Sequence, residues 1–243
     1  MKENINKNKL ILSLDCSNLA ELKQIVYELG ETVEFYKIGL ELMASGEYFT
    51  AIDFLAKNNK KIFADLKLYD IDNTVAKAVA NISKMPIELL TIHIANQSMM
   101  KRAVENAGNI KIIGVTVLTN LISYDLATMG FDQKLSLEEL VLKKAKLAIE
   151  CGLAGVVASP QETAYLRQNI GTDFLIVTPG IRLENIADLK SSNKNNQIDD
   201  QKRIATPKQA IINGSSYLVI GRPILQSSDK KAMALKILSQ INQ

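Results

Sequence analysis

Short apolar segments alternate with longer amphipathic segments along almost the whole chain, and this alternation restricts the possible folds more than any other feature. Eight of the short segments are rich in β-branched or other apolar residues, as expected of strands that are buried on both faces. These strand candidates are residues 10–15, 33–39, 61–67, 88–94, 110–118, 154–159, 174–179 and 217–221.

The longer segments have the apolar spacing of helices, and cap-like residues precede several of them, such as Ser17 or Asn18 before the first. The helix candidates are residues 19–29, 41–57, 72–83, 98–106, 137–150, 160–168, 207–213 and 230–241. Repeated strand–helix units predict an α/β fold, a (β/α)8 TIM barrel that forms a single domain over residues 1–243. An open doubly wound sheet is the alternative, but no G-x-G-x-x-G motif follows the first strand.

Composition and charge exclude several classes of protein. The 243 residues carry a net charge of only +3, whereas a nucleic-acid-binding protein needs a clustered basic face. Cys16 and Cys151 have no metal-like spacing to each other or to His93, so we expect reduced thiols and no metal. The N-terminus lacks the apolar core of a signal peptide, and no apolar run approaches the ~20 residues of a membrane span. We therefore expect a cytoplasmic protein without a membrane partner.

Polar residues gather where the predicted strands end. In a barrel the C-terminal strand ends meet at one face and deliver the catalytic side chains. A lone histidine at such an end, like His93, is more typical of a hydrogen-bonded structural group. The polar residues at these ends are Asp15, Lys37, Asp65, Lys67, His93, Thr119, Arg182 and Arg222.

The segment D-L-K-L-Y-D, residues 65–70, has the most unusual chemistry. Asp65 and Lys67 are two residues apart on a predicted strand, so both should point to one face, within otherwise apolar surroundings. A structural ion pair would explain these two residues alone. Asp70 adds a second carboxylate, and a lysine between carboxylates stays protonated. Such a lysine is a poor nucleophile but a well-placed acid, which favours proton donation over Schiff-base chemistry.

The segment V-I-G-R-P-I, residues 219–224, is a candidate phosphate site. Loops after the seventh and eighth barrel strands often bind phosphate through backbone N–H groups and an arginine. Gly221 allows close approach and Arg222 supplies charge, while Gly180 and Arg182 could form the other half. A simple turn with a surface arginine is the alternative. The polar stretch at residues 183–202 is either a solvated insertion or a lid over this face.

The segment D-L-K-L-Y-D-I-D-N-T, residues 65–74, resembles the D-x-K-x-x-D-I-x-N-T signature of the orotidine 5′-phosphate decarboxylase family. The resemblance extends from Asp15 to the G-R-P of residues 221–223. It implies a barrel that decarboxylates orotidine 5′-monophosphate (OMP) without metal or cofactor, as a homodimer with sites at the subunit interface.

The same resemblance implies a role for each matching residue. Asp65 would lie beside the substrate carboxylate, and Lys67 would be the proton donor. Asp70 and Thr74 would reach the partner's site. The remaining residues would bind the ribose hydroxyls (Asp15, Lys37), the pyrimidine (Thr119) and the phosphate (Arg182, Gln201, Gly221, Arg222).

The sequence departs from the family pattern at two places, and two other functions are alternatives to the one that the resemblance implies. His93-Ile94-Ala95-Asn96-Gln97 stands where the family has a Gly-Gly-like turn, and Leu183 stands where a proline is common.

Magnesium-dependent sugar-phosphate relatives, which decarboxylate 3-keto-gulonate 6-phosphate or form hexulose phosphate, share D-x-K-x-x-D. They carry an acidic residue near the end of strand 2, where this chain has Lys37. A catalytically silent phosphate-binding barrel is the second rival, but it would not need the buried charges.

Overall fold

The computed structural model describes residues 7–132, 134–183 and 203–243. Within these residues, eight parallel strands form a closed barrel in chain order, with β1 hydrogen-bonded to both β2 and β8. Closure confirms the predicted barrel and rules out the open sheet. The strands are β1 Leu10–Leu14, β2 Phe35–Gly39, β3 Lys61–Leu68, β4 Leu89–His93, β5 Lys111–Val115, β6 Gly155–Val157, β7 Leu175–Thr178 and β8 Tyr217–Ile220.

Helices connect successive strands. Asn18 and Ser136 cap the helices that follow them, because each side chain accepts a backbone N–H of the first turn. The helices are α1 Leu19–Leu29, α2 Leu40–Ala44, α3 Tyr48–Lys57, α4 Asp72–Ile82, α5 Gln97–Glu105, α6 Ser123–Thr128, α7 Leu137–Glu150, α8 Pro160–Ile170, α9 Pro207–Ile212, α10 Arg222–Leu225 and α11 Lys230–Ile241.

The strands are apolar on both faces because each separates two layers of core. One layer packs between the strands and the helices and includes both cysteines, which are buried free thiols. The other fills the inside of the barrel, where alternate residues of each strand meet. The buried members of this inner cluster are Ile11, Phe35, Phe63, Leu89, Ile113, Val177 and Val219.

The prediction of one helix over residues 41–57 is wrong, since α2 and α3 are separate. Gly46, between them, has φ of 82°, in the left-handed region that favours glycine. The side chain of Glu47 accepts the backbone N–H of Leu19 at 2.7 Å and so ties the break to the start of α1. Two short helices, α6 and α10, were not predicted because four to six residues contain too few helical repeats to show a period.

At the N-terminal ends of β7 and β8, the guanidinium of Arg167 joins several loops. It donates to the carbonyls of Gly214, Gly171 and Phe174 at 2.7, 2.9 and 2.6 Å, and to the hydroxyl of Ser216 at 2.9 Å. A planar guanidinium can satisfy several fixed acceptors at once, which an ammonium group cannot match.

Replacing Arg167 by alanine should therefore lower the free energy of unfolding by about 2–3 kcal/mol, because several partly buried acceptors would lose their hydrogen-bond donor. Urea denaturation measures this difference. Arg102→Ala, an exposed position on α5, is the matched control and should change stability by less than about 0.5 kcal/mol. Equal midpoints for the two variants would contradict the structural role of Arg167.

Candidate active site

The C-terminal ends of the strands surround an open cavity of about 360 Å³. Apolar residues of the inner barrel cluster, such as Phe63, Val177 and Val219, form part of its lining. The structure brings most of the predicted site residues to this one cavity, from the C-terminal ends of several strands. Its polar and glycine lining comprises Ser13, Asp15, Lys37, Asp65, Lys67, Thr119, Asn120, Gly180, Arg182, Gly221 and Arg222.

Four charged side chains form a continuous chain across the cavity. Lys37 Nζ lies 3.2 Å from Asp15 Oδ1 and 3.3 Å from Asp65 Oδ2. Lys67 Nζ lies 2.8 Å from the same Asp65 oxygen. The lysine that lies between two carboxylates of this chain is therefore Lys37, whereas Lys67 pairs with Asp65. Ser13, which the sequence did not single out, donates its hydroxyl to Asp15 at 2.9 Å.

The pKa values of Asp65 and Lys37 favour their ionised forms. Burial alone would raise the pKa of Asp65, but Lys37, Lys67 and two side-chain hydrogen bonds hold it below its usual value. Burial alone would lower the pKa of Lys37, but Asp65 and Asp15 outweigh this and raise it. Asp65 and Lys37 therefore face the cavity as a carboxylate and an ammonium group, in contact with Lys67 and Asp15.

The backbone of β3 is irregular where the cluster forms. Ala64 pairs with Leu90 and Leu68 with Ile92, so β3 advances four residues while β4 advances two. Lys67 has φ of 47°, a left-handed conformation that is rare for a residue other than glycine. Asp65 and Lys67 were predicted to share a face through regular alternation. They do converge, but across a bulge and not along a regular strand.

Two glycines and two arginines line the end of the cavity formed by the loops after β7 and β8. Gly180 has φ of 80°, and a Cβ atom at Gly221 would lie only 3.2 Å from Ser13 Cβ, so each position suits glycine. Arg182 is held by backbone bonds, since its N–H donates to Ala205 O at 2.9 Å. This end provides a cationic pocket with close backbone approach, the combination that phosphate prefers. Gln201, predicted to join it, lies outside the described residues.

Asp70 and Thr74 lie outside the residues that line this cavity. Both are exposed, and Asp70 Oδ1 accepts the backbone N–H of Ile71 at 2.7 Å. Within one chain, Asp70 therefore does not flank Lys67 as spacing alone suggested. Its assignment to a partner's site stays a prediction.

His93 lies at the end of β4, in edge-to-face contact with the ring of Tyr69 at a centroid distance of 5.9 Å. Partial burial lowers the pKa of His93, and the nearby Lys144 and Lys67 lower it further, so the neutral imidazole is favoured. His93 is not part of the cavity lining. Its hydrogen-bonded structural role stays a prediction, since the ring contact with Tyr69 does not test it.

Arg203 is a buried residue that sequence reasoning missed. Its guanidinium pairs with the buried Glu162 of α8 and donates to the carbonyls of Leu118 and Thr119 at 3.1 and 3.3 Å. It therefore holds the loop that carries Thr119 into the cavity. No local pattern marks this role, because 41 residues separate Arg203 from Glu162.

Metal ligands and membrane segments can be assessed only for the described residues. Among residues 7–132, 134–183 and 203–243, no three or more His, Cys, Asp or Glu side chains are grouped so that they could hold a metal ion. No helix in these ranges has both the length and the apolar character needed to cross a bilayer.

Comparison with known proteins gives consistent matches over most of the chain. The model of the orotidine 5′-phosphate decarboxylase / HUMPS family matches residues 8–237. A protein of Methylococcus capsulatus named orotidine 5′-phosphate decarboxylase is 40% identical over 234 residues, 96% of this chain and 92% of that protein.

Solved structures agree with this match. The crystal structure of orotidine 5′-phosphate decarboxylase from Lactobacillus acidophilus superposes with a TM-score of 0.81 at 36% identity, covering 96% of this chain and 99% of the other. An uncharacterized conserved protein from Geobacillus kaustophilus gives a TM-score of 0.80 at 29% identity, covering 96% and 100%. The resemblance that the 65–74 segment predicted is thus confirmed over nearly the full length, and the chain belongs to the orotidine 5′-phosphate decarboxylase / HUMPS family.

Proposed function

We propose that this chain, as one decarboxylase domain over residues 1–243, converts OMP to uridine 5′-monophosphate (UMP) and CO2 in pyrimidine biosynthesis. We further propose that it needs neither metal nor cofactor and that Lys67 donates the proton. The observation that carries the proposal is the partly buried Lys37–Asp65–Lys67 cluster facing the cavity, with Lys67 Nζ 2.8 Å from Asp65. The 40% identity to a protein named for this activity supports the choice of substrate.

In the proposed binding mode, different residues of the cavity bind the phosphate, the ribose and the base of the nucleotide. Arg182, Gly221 and Arg222 bind the phosphate, joined by Gln201. Asp15 and Lys37 bind the ribose hydroxyls, because Asp15 is the most exposed carboxylate of the cluster, with 59% of its side chain accessible. Thr119 contacts the pyrimidine on the opposite side of the cavity. In this proposed binding mode, C6 of the base lies near Lys67.

The chemistry follows from the charges. The bond from C6 to the carboxylate carbon breaks, CO2 leaves, and the electron pair stays on C6. The Lys67 ammonium stabilises this developing carbanion and then transfers a proton to C6. Asp65, held ionised by its two lysines, lies next to the substrate carboxylate and favours its departure. Phosphate binding is remote from C6, so its energy can serve to order the loops around the site.

Asp70 and Thr74 act on the site of a second copy in a homodimer. Asp70 lies between Tyr69 and Ile71, whose side chains are 68% and 70% exposed. Large exposed apolar groups beside a carboxylate suit a surface that another subunit covers. The partner is a second copy of this chain, and the enzyme is expected to act in the cytoplasm.

Purified protein should consume OMP, followed by the change in its ultraviolet absorbance, at the same rate with and without EDTA. Loss of activity in EDTA that magnesium restores would overturn the metal-free mechanism. Lys37 favours OMP decarboxylation over the reactions of the magnesium-dependent sugar-phosphate relatives. Near the end of strand 2, this chain has an ammonium group where those relatives carry an acidic residue. Binding of OMP without turnover would instead indicate a silent phosphate-binding barrel.

A further inference from the structure

Thr91 of β4 is a buried hydroxyl that touches two members of the proposed catalytic cluster at once. Its side chain is fully buried, with 0% exposure. Its Oγ1 lies 2.9 Å from Asp65 Oδ1 and 2.9 Å from the backbone nitrogen of Lys67. No step of the mechanism proposed above uses this residue.

The direction of both hydrogen bonds is fixed by their donors. The backbone N–H of Lys67 can only donate, so it must use a lone pair of the Thr91 oxygen. The single hydroxyl hydrogen is then left for the Asp65 carboxylate. One hydroxyl thus accepts from one residue and donates to the other.

The bulge in β3 explains why a side chain is needed here. Because β3 contains two more residues than β4 between the paired positions, the Lys67 N–H does not enter the regular ladder. Thr91 supplies the missing acceptor at the point where Lys67 takes its left-handed φ of 47°. A backbone conformation of this kind persists only where its surroundings hold it.

The second bond sets the rotation of the Asp65 carboxylate. Asp65 Oδ2 faces both Lys67 and Lys37, at 2.8 and 3.3 Å, while Oδ1 accepts from Thr91. Without Thr91, the carboxylate could turn and share both oxygens between the two lysines. The Lys67 ammonium would then lose its defined position.

We propose that Thr91 is a positioning residue for the decarboxylation, which fixes the Asp65 carboxylate and the Lys67 backbone in the geometry that proton transfer requires. The inference rests on the proposed function. It adds a residue of β4 that touches no substrate and acts only through Asp65 and Lys67. Its hydroxyl should therefore affect kcat more than KM.

Thr91→Val and Thr91→Ser separate the hydroxyl from packing, because valine keeps the shape and serine keeps the oxygen. Thr91→Val should lower kcat for OMP about 10- to 100-fold, the effect of losing a hydrogen bond to a charged group. KM for OMP and affinity for UMP should change less than about threefold, and Thr91→Ser should recover kcat to within about threefold of wild type. Thr163→Val, at another fully buried threonine whose hydroxyl bonds to a backbone carbonyl, should leave kcat unchanged.

The opposite order, an active Thr91→Val and an impaired Thr91→Ser, would show that the site needs the volume of threonine and would overturn the proposal. If Thr91→Val does not fold, Thr91→Ser and Thr91→Ala, which differ by one oxygen, give the same comparison. Equal kcat for that pair would also overturn it. Wild-type enzyme that fails to consume OMP refutes the proposed function itself, whereas active wild type with an equally active Thr91→Val refutes only the role of Thr91.

Discussion

Replacing Lys67 by alanine should lower kcat for OMP by at least about 10⁴-fold, because the substitution removes the proposed proton donor and the cation proposed to stabilise the carbanion. Binding of UMP should remain measurable, since the proposed phosphate-binding residues, such as Arg182 and Arg222, follow β7 and β8 and are unchanged by a substitution in β3. Steady-state kinetics and calorimetric titration with UMP measure the two effects.

Lys61→Ala is the matched control for this variant. Lys61 begins the same strand, β3, but its Nζ bonds to Asn8 Oδ1 at 2.9 Å and does not line the cavity. This control should retain wild-type kcat within about twofold, as expected for a surface change. A Lys67→Ala enzyme with kcat near that of Lys61→Ala would refute the proton-donor assignment.

Mixed dimers should give the second large effect, because they test whether Asp70 acts across the interface. We expect each single variant, Lys67→Ala or Asp70→Ala, to be nearly inactive as a homodimer. A heterodimer purified through two different tags should regain about half of the wild-type activity, because one of its two symmetric sites combines an intact Lys67 with the partner's intact Asp70.

A second heterodimer gives the reverse expectation. Wild-type subunits paired with the double variant Lys67→Ala/Asp70→Ala have no intact shared site, so this dimer should be nearly inactive. If each chain instead used its own Asp70, the first heterodimer would be inactive and the second would keep about half of the activity. The first heterodimer is therefore the active one if the partner subunit supplies Asp70, and the second is the active one if each chain uses its own Asp70.

The sequence was sufficient to predict the barrel and most of the residues that line the cavity at the C-terminal strand ends. Strands buried on both faces leave apolar segments that stand out, and their polar C-terminal ends meet once the barrel closes. Asp15, Lys37, Asp65, Lys67 and Arg182 reached one cavity for this reason. Gln201, in the polar stretch after β7, belongs to the part of the chain that the structure does not describe.

The geometry inside the cluster was not predictable from spacing. Alternation along a strand assumes a regular ladder, whereas β3 bulges against β4 between Ala64 and Leu68. The position of Lys37 between two carboxylates depends on the pairing of β2 with β1 and β3. The order of residues along the chain does not reveal this pairing. Thr91 and Arg203 act through partners that lie 24 to 85 residues away in the chain. Roles of this kind appear only once the strands are paired.

The unequal exposure of the two cluster lysines has a consequence for the catalytic cycle. Each turnover of the proposed reaction leaves Lys67 without the proton it gave to C6, so one proton must come from solvent before the next substrate reacts. The Lys67 side chain is 31% exposed, whereas that of Lys37 is 12% exposed. Solvent water can therefore return a proton to Lys67 directly when the cavity is empty. Lys37 stays protonated throughout and keeps the Asp65 carboxylate in place.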